Sequence, residues 1–273
     1  MPLDTSTYSF ALLRVDGRRW NELRRLHAQI RIQAAADGSS YLEMGNTKVM
    51  CVLTGPSEPQ QQQQGQRRGQ ATAGGGKDAA INVSIVVAGF ASVDHKKRGR
   101  NDKRTQELEL TIAKTFASVV HTHLFPHSSI SLALHVLSAD GSLLAALLNA
   151  ATLALIDAGI PMSDYIAACT AGSTSSYAAA DDSADPLLDL NTQEEQELPF
   201  ITVATLGETD RVAVLNCESR VQVSRLEGML AVAVDGCKEV KQLLDKAIKA
   251  KGAKMIREGA AEKSDAMAMD LDE

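Results

Sequence analysis

One continuous stretch sets the layered character of the fold: residues 130–161, ISLALHVLSADGSLLAALLNAATLALIDAGIP. Its first part alternates apolar and polar side chains, which predicts a strand over Ile130–Leu137 with one apolar face. That face carries Ile130, Leu132, Leu134 and Val136. Its second part, Ser142–Ala158, is apolar on nearly all sides and is followed by Gly159 and Pro161, which predicts a helix that ends there. Because such a helix must be covered on most of its surface, it must lie between other layers of the protein.

Further strands are predicted on both sides of this stretch. Short apolar or alternating runs between turn residues predict strands over Gln29–Ala34, Tyr41–Met44, Thr47–Leu53, Ile81–Ala88, Tyr165–Ala171, Phe200–Leu206 and Arg211–Cys217. An amphipathic stripe predicts a helix over Thr105–Val120, and a long helix is predicted from about Arg225. Ser224 is its expected N-cap, and Glu227 completes a capping box. Strands grouped before helices indicate the α+β class, and we predict one domain over residues 10–256.

Three segments of low complexity interrupt this pattern. Residues 60–78 are rich in Gln and Gly, residues 173–186 in small and acidic residues, and residues 257–273 in acids. None offers enough apolar surface to offset the entropy cost of ordering. We therefore predict flexible loops at 60–78 and 173–186 and a disordered acidic tail over 257–273.

The overall composition is that of a globular protein, with 44% hydrophobic but only 4% aromatic residues. Four cysteines lie far apart within apolar runs, which is typical of the buried thiols of an intracellular protein. The N-terminus lacks the pattern of a signal peptide, and no run reaches the roughly 18 apolar residues of a membrane helix. We expect neither secretion nor membrane insertion.

The formal net charge of −6 hides a local asymmetry. Residues 66–104 carry nine basic and three acidic side chains, whereas residues 181–197 and the last sixteen residues are acidic. A basic segment is either a solvated loop or a surface that follows phosphates, because Lys and Arg release counterions when they bind nucleic acid. The charge by itself leaves both interpretations open.

Three clusters of residues go beyond a generic pattern. The first is RVDGRR at 14–19 with ADGSSYLE at 36–43, GNTKV at 45–49 and Gly55-Pro56; the second is SADGS at 138–142 with LALIDAGI at 153–160; the third is LLDLN at 187–191 with the acids up to Glu197 and then Pro199. Together they resemble the RNase PH family over about residues 10–250. The resemblance implies an RNase PH-like α+β fold, in which mixed β-sheets pack with helices in the S5 domain 2-like arrangement.

Within that family, RRWNELR at 18–24 together with residues 36–41 is most similar to the eukaryotic subunits of the exosome ring. The resemblance implies a hexameric ring of RNase PH-like subunits with single-stranded RNA in its channel. The implied partners are other ring subunits, S1/KH-type cap subunits and an associated hydrolytic exoribonuclease. It further implies 3′-to-5′ processing and degradation of rRNA, mRNA and noncoding RNA in the nucleus, nucleolus and cytoplasm.

Active members of the family degrade RNA by phosphorolysis and hold phosphate with the arginine of an Asp-Gly-Gly-Thr-Arg pattern. The corresponding residues here are Asp140, Gly141, Ser142, Leu143 and Leu144. Leu144 cannot provide the charge-assisted hydrogen bonds of a guanidinium. The resemblance places the catalytic aspartate on Glu197, or on Glu194 or Glu195 if the shortened loop is aligned differently. We therefore predict a degenerate active site with no catalytic residue.

Considered without the resemblance, the same acids are typical of an exposed charged loop. In that interpretation Asp189, Glu194, Glu195 and Glu197 would all face solvent, and Asp140-Gly141 would be a turn before a helix. The exposed-loop interpretation of the acids and the simple-turn interpretation of Asp140-Gly141 both agree with a loss of catalysis.

Lys103 and Arg104 are the first candidates for RNA binding, because the resemblance implies a basic pair there that contacts the RNA backbone. A cation at a helix N-terminus is unfavourable unless an anion compensates it, although a solvated helix end is the alternative. Arg67 and Arg68, in the Gln/Gly-rich segment, are further candidates. His121, His123, His127 and His135 lack carboxylate or cysteine companions, so we predict no metal and no cofactor.

These observations favour a non-catalytic, RNA-contacting structural subunit that supports an associated nuclease. The alternative is an active phosphate-dependent 3′-to-5′ exoribonuclease or tRNA nucleotidyltransferase of the RNase PH type.

Overall fold

The computed structural model describes residues 14, 16–58, 78–91, 95, 102–174, 186–207 and 209–269, with side chains described up to residue 257. Within these ranges, nine strands form two sheets, and four α-helices pack against or between them. The α+β class predicted from the sequence is confirmed.

The first sheet has five strands: β1 (Leu26–Ile30), β2 (Gly38–Met44), β3 (Thr47–Ser57), β4 (Ala80–Val87) and β5 (Ser129–Ser138). Their order is β1-β2-β3-β5-β4, and β4 and β5 are parallel while the other neighbours are antiparallel. A parallel pair needs a crossover connection, and helix α1 (Lys103–Val119) lies within it and packs on β4.

The second sheet is antiparallel throughout. It comprises β6 (Ile166–Ser173), β7 (Pro186–Leu188), β8 (Phe200–Leu206) and β9 (Val212–Cys217) in the order β7-β6-β8-β9. The short helix α3 (Thr192–Glu197) connects β7 to β8, and the long helix α4 (Val223–Met269) packs against β6 and β8.

Helix α2 (Leu143–Asp157) lies between the two sheets. It contacts β2 and β3 on one side and β6 on the other, and residues 144–155 are all buried. Its polar Asn149 is satisfied by β6, because its side-chain amide donates to Ala168 O at 2.9 Å and accepts from Ala168 N at 2.8 Å. The prediction of a helix covered on most sides is confirmed.

The first strand lies earlier than the sequence predicted. β1 spans Leu26–Ile30 instead of Gln29–Ala34. Arg31 has φ 57°, a left-handed conformation that cannot continue a strand, and its N–H donates to Ser39 O. The backbone amides of Ile32 and Gln33 then donate to Ser39 Oγ, so these residues form the turn toward β2.

The start of α4 also differs from the prediction. The amides of Arg225 and Leu226 both donate to Gln222 O, so the helix begins at Val223 and Ser224 lies inside it instead of capping it. The helical backbone continues to Met269. Among the described residues, a capping box is found at α3, where Asn191 and Glu194 exchange side-chain and backbone hydrogen bonds.

Most of the predicted loops 60–78 and 173–186 lies outside the described residues, and the division of the chain into domain, loops and tail stays a prediction.

Candidate functional site

Three segments meet at the end of β5, where the chain turns into α2. They are the turn of residues 139–142, the segment from β7 through α3, and the N-terminal residues Arg14–Arg24. We call the side chains and turn at this meeting point the turn site. It is built from parts that are more than a hundred residues apart in the chain, such as Arg24 and Asp140.

The turn itself has two consecutive left-handed residues. Gly141 has φ +74° and Ser142 has φ 52°. A Cβ on Gly141 would lie 2.4 Å from Leu190 O, so only glycine fits between the turn and the segment that follows β7. Thr47 Oγ1 donates to Gly141 O at 2.7 Å, which ties the turn to the start of β3.

Asp140 anchors the turn on both sides. Its carboxylate accepts from Asn46 Nδ2 at 3.0 Å and from Thr192 N at 3.3 Å. The Asp140 side chain therefore has a structural role at this site.

Asp189 and Arg24 form a buried ion pair behind the turn. Arg24 Nη2 lies 2.7 Å from Asp189 Oδ1, the Arg24 amide donates to Oδ2 at 2.9 Å, and Ser142 Oγ lies 3.0 Å from Oδ1. Burial raises the pKa of the Asp189 carboxyl, but the charge and hydrogen bonds of Arg24 outweigh it, so that the pKa lies below its ordinary value.

Glu194 and Arg14 form a second buried pair. Arg14 Nε donates to Glu194 Oε1 at 2.9 Å, and Arg14 Nη2 pairs with Oε2 in the bidentate arrangement. Arg14 Nη2 also donates to Asp189 O at 3.0 Å. The interpretation of an exposed acidic loop is therefore wrong for Asp189 and Glu194, which are 1% and 4% exposed.

Glu195 is placed at the N-terminus of α2. The backbone N–H of Ser142, the N-cap residue, donates to Glu195 Oε1 at 2.6 Å. Burial raises the pKa of the Glu195 carboxyl above its ordinary value, and the Ser142 amide and the charge of Arg24 offset this only in part. Of the three acids considered for the catalytic position, Glu195 contacts the turn, whereas Glu197 is exposed at the end of α3.

Leu144 belongs to the interior. Its side chain is 6% exposed and packs within the main hydrophobic core. The position for which the resemblance implies a phosphate-binding arginine thus contributes to core packing.

The predicted RNA-binding pair begins α1 at the margin of the turn site. Arg104 lies near enough to Glu195 for its charge to lower the pKa of that carboxyl, and its Nη2 lies 3.7 Å from Glu218 Oε2. Asp102 caps the helix by accepting from the Arg104 amide. These anions compensate the helix terminus without RNA, so the RNA contact of Lys103 and Arg104 stays a prediction. Arg67 and Arg68 lie outside the described residues.

Sequence reasoning missed the roles of Arg14 and Arg24 and the burial of their partners. One local signal was available: Asp189 lies within Leu187, Leu188 and Leu190, all of which are buried. An acid within such an apolar run indicates a buried, paired carboxylate.

The part of the chain that is described contains no cluster of three or more His, Cys, Asp or Glu side chains suited to a metal ion. In the same ranges, no helix is both long and apolar enough to cross a membrane.

The fold and the turn site can now be compared with known proteins. Residues 22–161 match the 3′ exoribonuclease family (RNase PH), domain 1, and the chain belongs to this family. It is 39% identical over 237 residues to the exosome complex component ski6 of Schizosaccharomyces pombe, covering 87% of this chain and 91% of that protein. It is 36% identical over 236 residues to the human exosome complex component RRP41, covering 86% and 90%.

A solved structure shares the fold. The crystal structure of rice (Oryza sativa) Rrp46 matches with a TM-score of 0.71 at 24% identity, covering 86% of this chain and 100% of that one. The RNase PH-like fold predicted from the sequence is confirmed.

Proposed function

We propose that this chain is a non-catalytic, RNA-contacting structural subunit of the core ring of an RNA exosome. The proposal is supported by relatives named as exosome complex components that align with nearly their whole length. Its partners are other RNase PH-like ring subunits, S1/KH-type cap subunits, an associated hydrolytic exoribonuclease and single-stranded RNA. The chain acts in the nucleus, nucleolus and cytoplasm, where it supports 3′-to-5′ RNA processing and degradation by that nuclease.

The proposed absence of catalysis is supported by the cations of the turn site. Phosphorolysis brings inorganic phosphate to a phosphodiester, so the site must supply uncommitted positive charge. Arg14 and Arg24 are buried and bound to Glu194 and Asp189, and Leu144 packs in the core. The commitment of both buried arginines to carboxylates is the observation that carries the proposal.

The charge balance of the turn site supports the same conclusion. The turn site includes three arginines and five carboxylates: Arg14, Arg18, Arg24, Asp16, Asp140, Asp189, Glu194 and Glu195. An excess of carboxylates repels an incoming phosphate dianion and raises the barrier to the reaction.

Exposed apolar side chains support a place in a ring. Val86 on β4 and Val212 and Leu215 on β9 are 52%, 41% and 53% exposed, and these strands are the ends of their sheets. Phe90, just after β4, is 67% exposed. Apolar groups at sheet edges are suited to burial against neighbouring subunits.

The deciding experiment uses the ring assembled with its neighbouring subunits but without the associated nuclease. We expect 3′-labelled RNA with inorganic phosphate to yield no nucleoside diphosphates. Formation of nucleoside diphosphates that stops when phosphate is omitted, and also in a ring carrying Glu195→Gln and Glu197→Gln, would establish the active exoribonuclease instead.

A further inference from the structure

Helix α4 continues beyond the core against which it packs. The buried residues of its packing face are three or four positions apart: Met229, Ala233, Cys237, Val240 and Leu244. Among the residues with described side chains, Ile248 is the last of α4 that packs against the core. The helical backbone then continues over residues 249–269, about 30 Å at the rise of an α-helix, and we call this part the extension. Ile256 in the extension is 75% exposed, so the described body of the protein does not cover it there.

The face of α4 that packs on the core becomes charged in the extension. Beyond Ile248, the same three- and four-residue spacing leads to five charged residues, which we call the charged stripe. They are Lys251, Lys254, Glu258, Glu262 and Asp265. The charged stripe is thus basic in its first part and acidic in its second part.

The charged stripe is symmetric in position and opposite in charge about Glu258. Lys254 lies four residues before Glu258, and Glu262 lies four residues after it. Lys251 and Asp265 are both seven residues from it, one on each side. Spacings of four and seven residues are those at which one face of a helix recurs in a two-stranded coiled coil. The stripe therefore complements a second copy of itself that runs in the opposite direction.

A single solvated helix gains little from this arrangement. Most helical stability in proteins comes from packing of one face, and the extension has charges on that face. The helix dipole favours cations at the C-terminus, whereas the stripe has its acids there. Lys254 precedes Glu258 by four residues, which is the less favourable orientation for such a pair. An antiparallel helix with the same stripe supplies the opposite charge at four of the five positions, and its dipole is opposed.

We propose that the extension of α4 pairs with the same extension of a second copy of this chain, in antiparallel orientation about a twofold axis at Glu258. Lys251 of each copy then lies opposite Asp265 of the other, and Lys254 lies opposite Glu262. Because the surface complements itself, the pairing closes as a dimer. Its ion pairs are exposed to solvent, so the association is weak and sensitive to salt. It uses no residue of the turn site and does not rest on the proposed function.

The test is analytical ultracentrifugation of the full chain over a range of concentrations at low salt. Wild type is compared with two charge-reversed variants, Lys251→Glu with Lys254→Glu and Glu262→Lys with Asp265→Lys. Each variant alone brings like charges together in the pairing and should dimerise at least about tenfold more weakly than wild type. An equimolar mixture of the two variants restores opposite charges at these contacts and should dimerise like wild type.

The matched control is Lys246→Glu with Lys249→Glu, which makes the same change of charge at exposed positions of α4 outside the charged stripe. It should dimerise like wild type. The stripe lies beyond the core, so its variants should keep the fold, and circular dichroism checks this. Association through other surfaces of the chain is common to every sample and does not alter the comparison.

Three results would overturn the inference. The first is equal dimerisation of wild type and either stripe variant, which would leave the extension to solvent or to a different partner. The second is a mixture of the two variants that associates no better than each variant alone. The third is an equal loss in the Lys246→Glu and Lys249→Glu control, which would mean that total charge decides.

Discussion

Single residues at the turn site are stabilised by partners from distant parts of the chain. Arg24 and Asp189 are 165 positions apart, and Arg14 and Glu194 are 180 apart. Each arginine compensates the charge of a buried carboxylate. Both carboxylates belong to the segment from β7 through α3, which is part of the turn site. Removal of one partner leaves a buried charge without compensation, which costs more than an exposed pair contributes.

Asp189→Ala should therefore destabilise the protein strongly. We expect a loss of about 3–5 kcal/mol in the free energy of unfolding, because Arg24 would keep its charge in a buried position. Urea denaturation followed by circular dichroism measures this change. Lys238→Ala is the control, since Lys238 pairs with Asp210 and Asp235 at an exposed position, and its removal should leave the free energy of unfolding nearly unchanged. A loss for Asp189→Ala no larger than that of the control would contradict a structural role for the pair.

The pKa of Glu195 predicts a pH dependence of stability. Because the folded-state pKa is raised above the ordinary value of 4.5, the folded state favours the protonated acid relative to the unfolded state. The resulting stabilisation is fully present below pH 4.5 and is lost as the pH rises through the folded-state pKa. Glu195→Gln does not titrate, so its stability relative to wild type should rise over the same interval. Thermal unfolding of both proteins from pH 4 to 8 measures the difference, and a flat difference would show that Glu195 does not titrate in this way.

Strand β2 packs so closely against α2 that the contact between them requires a glycine at position 38. A Cβ at Gly38, the first residue of β2, would lie 2.4 Å from Ala154 O and 2.8 Å from the Ala158 Cβ. These atoms belong to α2 and its C-terminal end, so β2 and α2 approach each other at backbone distance. The buried helix is therefore held by close backbone contact as well as by apolar side chains.

Gly38→Ala should force β2 and α2 apart. We expect a loss of about 1–3 kcal/mol in the free energy of unfolding, the usual cost of overpacking a core. Gly228→Ala provides the comparison in α4, because no atom lies within 4 Å of the added Cβ and alanine favours a helix, so stability should stay constant or rise. If Gly38→Ala and Gly228→Ala have the same free energy of unfolding, the close approach of β2 and α2 does not contribute to stability.

The whole molecule has a negative net charge but carries two basic residues, Lys103 and Arg104, beside the turn site. The net charge is −6, yet α1 begins with Lys103 and Arg104, and the charge of Arg104 acts on Glu195 and pairs with Glu218. Arg104 is 67% exposed at its side chain, and its pair with Glu218 is long and solvated. Exposed pairs of this kind contribute little to stability, and Lys103 is also exposed, so the positions of both cations suit the predicted contact with an RNA backbone.

Lys103→Gln combined with Arg104→Gln should weaken RNA binding by the assembled ring without affecting its assembly. Because each phosphate contact releases counterions, the slope of log affinity against log salt should become shallower by about 1–1.5 for two contacts on a single strand. Fluorescence anisotropy at several salt concentrations measures the slope. The matched control is Lys246→Gln with Lys249→Gln, two exposed positions of α4, which removes the same charge outside α1. Equal slopes for the pair variant and wild type would exclude the contact.

Local pattern determined much of this protein. Residues 142–158 are apolar on nearly every side, so their burial between layers follows from the sequence alone, and the strand at 130–137 follows from its alternation. The prediction that Leu144 lies where active members of the family carry a phosphate-binding arginine likewise requires only the sequence. Helix and strand periodicity are set by neighbours along the chain, so an apolar pattern on every side of a helix predicts its burial from the sequence.

The tertiary structure alone decided which charges meet. The sequence favoured Glu197 for one position, with Glu194 or Glu195 as alternatives, and suggested an exposed loop, but the fold pairs Glu194 with Arg14 and places Glu195 on the Ser142 amide. Ion pairs and helix caps between distant segments depend on how sheets and helices pack, and their short range makes ångström differences decisive. No periodicity along the chain encodes that geometry.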